Sequence, residues 1–132
     1  MQRKKTRWCH YQTAYHFVWI PKYRRKILLG HIEKETKRLI YECADKQGFE
    51  IIAVETDHDH VHVFVSAPPR FSPALIVNLL KGYTSRFLRK KFPELKKKCG
   101  KDKLWSQAYY VGTAGNVTIE TIRRYIMESQ GK

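Results

Sequence analysis

Two apolar runs, "FEIIAVET" at 49–56 and "HVHVFVSA" at 60–67, are separated by only three polar residues, Asp57, His58 and Asp59. A link this short predicts a hairpin, and therefore two antiparallel strands. Side chains alternate across a strand, so His60 and His62 share one face while Val61, Val63 and Val65 share the other. The valine side suits a core beneath helices. The histidine side then looks out over an open face of the sheet. Pro68 and Pro69 end the second strand. Any fold for this chain must supply a sheet with one covered and one open surface.

The remaining segments can be read around that hairpin. "YQTAYHFVWIP", 11–21, is aromatic and β-branched and ends on Pro21, so it reads as a strand, with "KYRRK" following as a basic loop. Residues 31 to about 47 read as a helix with Ile32, Leu39, Ile40, Cys43 and Ala44 on one side and Glu33, Lys34, Lys37 and Arg38 on the other. Gly48 is a natural C-terminal stop. Ser72 and Pro73 supply an N-cap and a first helical position, and the helix runs to about Lys91 with Ile76, Leu79, Leu80, Tyr83 and Phe87 inward. "KKFPELKKKCGKDK" reads as a basic loop, and "WSQAYYVGTAG", 105–115, as a fourth strand entering a glycine-bearing loop. Thr118 can cap a last helix, 119 to about 129, with Ile119, Ile122 and Ile126 on one face. The order β-α-β-β-α-β-α predicts an α+β, ferredoxin-like sandwich: a four-stranded, mainly antiparallel sheet with two helices on one face, plus a C-terminal helix. At 132 residues this is expected to be a single domain, 1–132.

Charge narrows the partner. The chain has 26 Lys and Arg against 12 Asp and Glu, a net +14. That is more than solubility requires and favours a polyanion. Tyr11, Tyr15, Trp19 and Tyr23 sit among the basic residues, as base-stacking surfaces require. No basic amphipathic helix stands alone, so nucleic acid is favoured over a membrane surface. No apolar run reaches the ~18 residues of a membrane span. "MQRKKTRW" is basic but leads into no apolar signal region. Cys9, Cys43 and Cys99 are odd in number and lack CxxC spacing, so neither a zinc knuckle nor a disulfide framework is expected. A cytoplasmic, reducing setting fits, with Cys43 in the core.

Two imidazoles at i and i+2 on one strand face can hold one divalent cation, with the stiff strand pre-setting their geometry. The same pair can equally hydrogen-bond neighbours and serve structure alone. Asp57 and His58, in the turn, are either partners that orient the ligand rings or turn formers. In "ETIRRYIMESQ", 120–130, Tyr125 sits one step off the isoleucine stripe, where its hydroxyl can leave the core edge. Tyrosine can attack phosphorus and conserve the bond energy as phosphotyrosine. Arg123 and Arg124 could then bind phosphate or lower the phenol's pKa; the alternative is an ordinary amphipathic tyrosine beside solvated arginines.

Five blocks, "YHFVWIPKYRR", "DHVHVFVSAPP", "LLKGYTSRFLRKKFPEL", "LWSQAYYVGTAGN" and "IRRYI", together resemble the single-tyrosine HUH transposases of small prokaryotic insertion sequences, the TnpA-like and REP-associated relatives. The resemblance spans nearly the whole chain. It implies that His60 and His62 bind Mg²⁺ or Mn²⁺ and that Tyr125 attacks a scissile phosphate of single-stranded DNA. The product is a 5′-phosphotyrosine link and a free 3′-OH, and the link is later resolved by a 3′-OH without ATP. It implies DNA hairpins at the element's ends as target. It also implies a homodimer in which one chain's tyrosine helix can serve the other's histidines. Gly112 and Gly115 match the flexible connection before that helix.

One position departs from the pattern. Similar proteins carry a glutamine four residues after the tyrosine as third metal ligand. Here Ser129 stands there, and the glutamine is Gln130. In a regular helix four residues turn roughly 40° and five about 140°. Gln130 therefore reaches a common centre only where the helix departs from regular geometry, and Glu128, three residues on, is the substitute candidate. Candidate backbone contacts to DNA are Lys22, Arg24, Arg25, Lys26, Arg86 and Lys90, with Lys91 and Lys96 to Lys98 beside them. Tyr23 and Trp105 are candidates to stack on bases. Three functions remain distinguishable: a nicking and rejoining transposase, a non-catalytic hairpin-binding descendant of one, and a metal-dependent nuclease that uses water in place of Tyr125.

Overall fold

The computed structural model describes residues 4–5, 10–11 and 14–113. A two-residue antiparallel pair, β1 (Lys4–Lys5) with β2 (His10–Tyr11), precedes the main sheet. That sheet contains β3 (Ala14–Trp19), β4 (Glu50–Asp57), β5 (His60–Ser66) and β6 (Tyr110–Thr113) in the order β4-β5-β3-β6. Every neighbouring pair is antiparallel. β3 and β4 thus run parallel to each other with β5 between them, and the split β-α-β crossover between them is α1 (Gly30–Gln47). The helices α2 (Pro73–Lys91) and α3 (Leu95–Cys99) follow β5. The expected α+β architecture is present.

The helix-side face of the sheet carries the core. Phe17, Trp19, Val54, Val61, Val63 and Val65 meet Leu39, Ile40 and Cys43 of α1 and Ile76, Val77, Leu80 and Leu88 of α2. Each such side chain contributes roughly 1.5–3 kcal/mol by leaving water. Leu80 is fully buried between the layers. Leu80→Ala should cost roughly 2–5 kcal/mol, read as a fall in the urea midpoint with unchanged slope.

The helix termini follow local chemistry. The Ser72 hydroxyl accepts the Leu75 amide at 3.1 Å. Gly48, at φ 86°, closes α1 by donating its amide to the Ala44 carbonyl. A residue with a Cβ would be strained there.

Four expectations change. The first strand is shorter than 11–21, and His10–Tyr11 pairs with Lys4–Lys5 instead. The fourth strand is Tyr110–Thr113 rather than 105–115. Before it, Trp105 makes only an isolated bridge to Pro21, and Lys81 Nζ donates to the Ser106 and Gln107 carbonyls, taking them out of the ladder. Residues 114 and 115 lie outside the described residues. The basic loop contains α3, anchored because Leu95 and Cys99, one turn apart, are both buried beneath an exposed lysine run. On α2 the deeply buried stripe is Ile76, Val77, Leu80, Thr84 and Leu88, while Leu79, Tyr83 and Phe87 are partly buried beside it. Tyr83 lies there because its hydroxyl donates to Glu42 of α1. Among the described residues no helix is long and apolar enough to cross a membrane.

Candidate functional site

β5 is hydrogen-bonded along both sides, to β4 and to β3. Val61, Val63 and Val65 are fully buried on its helix side. His60 and His62 are half-buried on the other face. Their ring centroids lie 4.8 Å apart with planes at 74°. Register brings further residues to the same face: Glu55 opposite His62 and Asp57 opposite His60 on β4, then Val18 and His16 opposite His62 and Phe64 on β3. Across β3, Tyr110 and Gly112 of β6 complete the surface.

The two rings are tied down in the same way. His60 Nδ1 lies 2.9 Å from Asp59 Oδ1. Asp59 Oδ2 accepts the Arg24 Nε–H at 2.9 Å. His62 Nδ1 lies 3.2 Å from His16 Nε2. The His16 ring stacks flat on Phe64, at 4.2 Å and 6°, and meets the edge of Tyr110 at 5.8 Å. Burial and the neighbouring His60 and His16 push His62 down to about 4, so it is neutral at physiological pH, as a ligand must be. Burial also lowers His16. The bond to His60, then that to Arg24, lowers Asp59.

Of the two roles open to Asp57 and His58, orienting the rings or forming the turn, the structure shows the second. Asp57 Oδ1 accepts the His58 amide within the turn, and the exposed His58 uses its carbonyl to accept the Leu28 amide. Asp59 and His16 hold the rings instead. His16 was legible only as a histidine on the outer face of the first strand, because its partnership with His62 depends on the β3–β5 register.

Arg24 belongs to a tight turn, Lys22–Arg24, in which Tyr23 (φ 61°) and Arg24 (φ 53°) are both left-handed. Two such residues cost about 1–3 kcal/mol each and persist only where surroundings hold them. Here the Lys22 amide bonds the Leu104 carbonyl, the Arg24 amide bonds Pro21, and Arg24 bonds Asp59. The turn exposes Tyr23 at 68 %, flanked by the cations of Lys22 and Arg25. Arg25 and Lys26 are exposed beside it. Arg86 and Lys90 are exposed on α2, in the layer across the sheet from the histidines. Trp105 is buried and donates its indole N–H to Thr84, and Trp19 is buried too, so neither offers a stacking surface.

Gly112 lies within β6, paired with His16, and not in a flexible connection. A Cβ there would sit 2.7 Å from the Tyr110 hydroxyl, so its absence leaves room for that ring. A pocket of about 310 Å³, bordered by Lys81, Arg89, Lys103 and Gln107, lies on the helix side and includes neither histidine. Among the described residues, no group of three His, Cys, Asp or Glu side chains could hold a metal. Arg123, Arg124, Tyr125, Glu128, Ser129 and Gln130, with Gly115, Thr118 and the expected last helix, lie outside the described residues.

The family model described as "Transposase IS200 like" matches residues 9–129. The chain is 35% identical over 130 residues to ISDra2 transposase TnpA of Deinococcus radiodurans, covering 98% of this chain and 92% of that protein. It is 32% identical over 121 residues to the transposase for insertion sequence element IS200 of Salmonella typhimurium, covering 92% and 77%. A crystal structure of a protein from Deinococcus radiodurans R1, described as a transposase, superposes with a TM-score of 0.78 at 32% identity, over 95% of this chain and 96% of that one. The REP-associated tyrosine transposase bound to a REP hairpin superposes at 0.59 and 16% identity, over 93% and 67%, and shares the fold. This chain belongs to the IS200-like transposase family.

Proposed function

We propose that residues 1–132 form one HUH transposase domain that nicks and rejoins single-stranded DNA at insertion-sequence ends through a 5′-phosphotyrosine intermediate. One observation carries the site: two imidazoles on one open sheet face, each engaged through Nδ1. Their chemistry fits a divalent cation, because neutral imidazoles with Nδ1 occupied have Nε2 left for coordination. A bound Mg²⁺ or Mn²⁺ would polarise the phosphoryl group and offset charge on the leaving 3′ oxygen. Gln130 or Glu128 is the proposed third protein ligand.

The chain's own groups do the rest. The Tyr125 oxygen attacks phosphorus, the P–O3′ bond breaks, and the 3′ oxygen leaves with a proton as a free hydroxyl. A 3′-OH reverses the step and releases the tyrosine. Arg123 and Arg124 offset phosphate charge. Lys22, Arg24, Arg25 and Lys26, beside the histidine face, steer the strand in, while Arg86 and Lys90 contact DNA from the helix layer. The proposed partners are DNA hairpins at element ends and a second copy of the chain, whose tyrosine helix serves the first copy's histidines. The relative solved with a REP hairpin supports hairpin binding as the mode of DNA recognition.

The five-residue step from Tyr125 to Gln130 favours a second reading, a non-catalytic hairpin-binding protein descended from such an enzyme. A labelled hairpin oligonucleotide incubated with protein and Mn²⁺ separates them on a denaturing gel. A retarded, protease-sensitive band means strand cleavage with covalent capture. Binding in a native gel without that band selects the second reading.

A further inference from the structure

A histidine can bind a metal through Nε2 only when its single neutral-state proton sits on Nδ1. What fixes that proton is the group facing Nδ1. For His60 that group is Asp59, a carboxylate with no proton to give, so Nδ1 of a neutral His60 must be the donor. The other Asp59 oxygen is taken by Arg24, which stops the carboxylate from turning away. For His62 the facing group is a third imidazole. The 3.2 Å contact between His62 Nδ1 and His16 Nε2 can run in either direction. If His16 donated, the His62 proton would sit on Nε2 and block coordination there. If His16 accepts, His62 stands ready on the same side as His60.

His16 is well placed to hold one arrangement. Its ring is stacked flat against Phe64, directly across the β3–β5 ladder. Tyr110 meets the same ring at a steep angle, and Gly112 gives that tyrosine its room. The ring therefore has little freedom to turn Nε2 away from His62.

We propose that His16 is a positioning residue for the metal pair: its Nε2 accepts the His62 Nδ1–H as Asp59 accepts that of His60, so both rings present Nε2 to one divalent cation. The inference rests on reading His60 and His62 as ligands. His16 does not touch the metal or the DNA. It keeps its own proton on Nδ1 and acts only through His62.

Long-range ¹H–¹⁵N spectra of the metal-free protein, recorded above the imidazole titration range, read the tautomers directly. Wild type should show His60 and His62 as Nδ1–H and His16 as Nδ1–H. His16→Phe keeps the flat stack on Phe64 but removes the acceptor. In it His62 should move to Nε2–H, His60 should not change, and Mn²⁺ affinity by calorimetry should fall about 10- to 100-fold. His16→Gln, whose carbonyl oxygen reaches near the Nε2 position, should restore both. A wild-type His62 with its proton on Nε2 overturns the proposal, and the wild-type spectrum alone decides this whatever the variants' folding. So does a His62 tautomer and Mn²⁺ affinity indifferent to His16→Phe. If the tautomers behave as stated but wild type binds no Mn²⁺, the ligand reading fails while the proton placement stands.

Discussion

Tyr125→Phe protein is expected to form no covalent adduct with a hairpin oligonucleotide, a loss of roughly 10⁴–10⁶-fold in cleavage rate. The substitution removes one oxygen and leaves the ring. DNA affinity should therefore stay near wild type, because the proposed strand contacts are the basic residues and not the phenol. The separation between lost chemistry and kept binding is what makes the measurement informative. A water-using nuclease would still nick the strand without capturing it. A hairpin-binding protein would show no adduct in either form. Full adduct formation by Tyr125→Phe would remove Tyr125 from the mechanism.

His60→Ala should abolish Mn²⁺-dependent cleavage. Several kcal/mol of charge stabilisation at the leaving oxygen correspond to roughly 10²–10⁴-fold in rate. The fold should tolerate the change. His60 is half-buried on the open face and contributes nothing to the valine-lined side of β5. The bond lost is the one to Asp59, which keeps its Arg24 partner. A variant with wild-type thermal stability and no cleavage places the defect in the chemistry. Cleavage at the wild-type rate in Mn²⁺ rejects His60 as ligand.

Much of this architecture could be read from local signals. The hairpin of β4 and β5, the Ser72 cap and the Gly48 stop each depend on residues within a few positions of one another, and each is present. The same alternation correctly divided β5 into a buried valine face and an accessible histidine face. What local signals missed depends on long-range partners. Trp105 looks like a strand residue, yet Thr84 and the α2 core draw its indole inward, and Lys81 captures the next two carbonyls. α3 hides behind consecutive lysines because only two of its residues touch the core. His16 gains its meaning from a partner 46 positions away. Asp59 was passed over for its neighbours Asp57 and His58 because only the turn geometry decides which carboxylate meets His60.

The interior position of β5 has a bearing on how such a centre ages through evolution. Sequence drift at sheet borders, where strands lengthen, shorten or slip, leaves a doubly flanked strand in place. The spacing between the two imidazoles is thus insulated from changes at the periphery. Variation can accumulate on surrounding turns and helices while the histidine pair keeps its pitch.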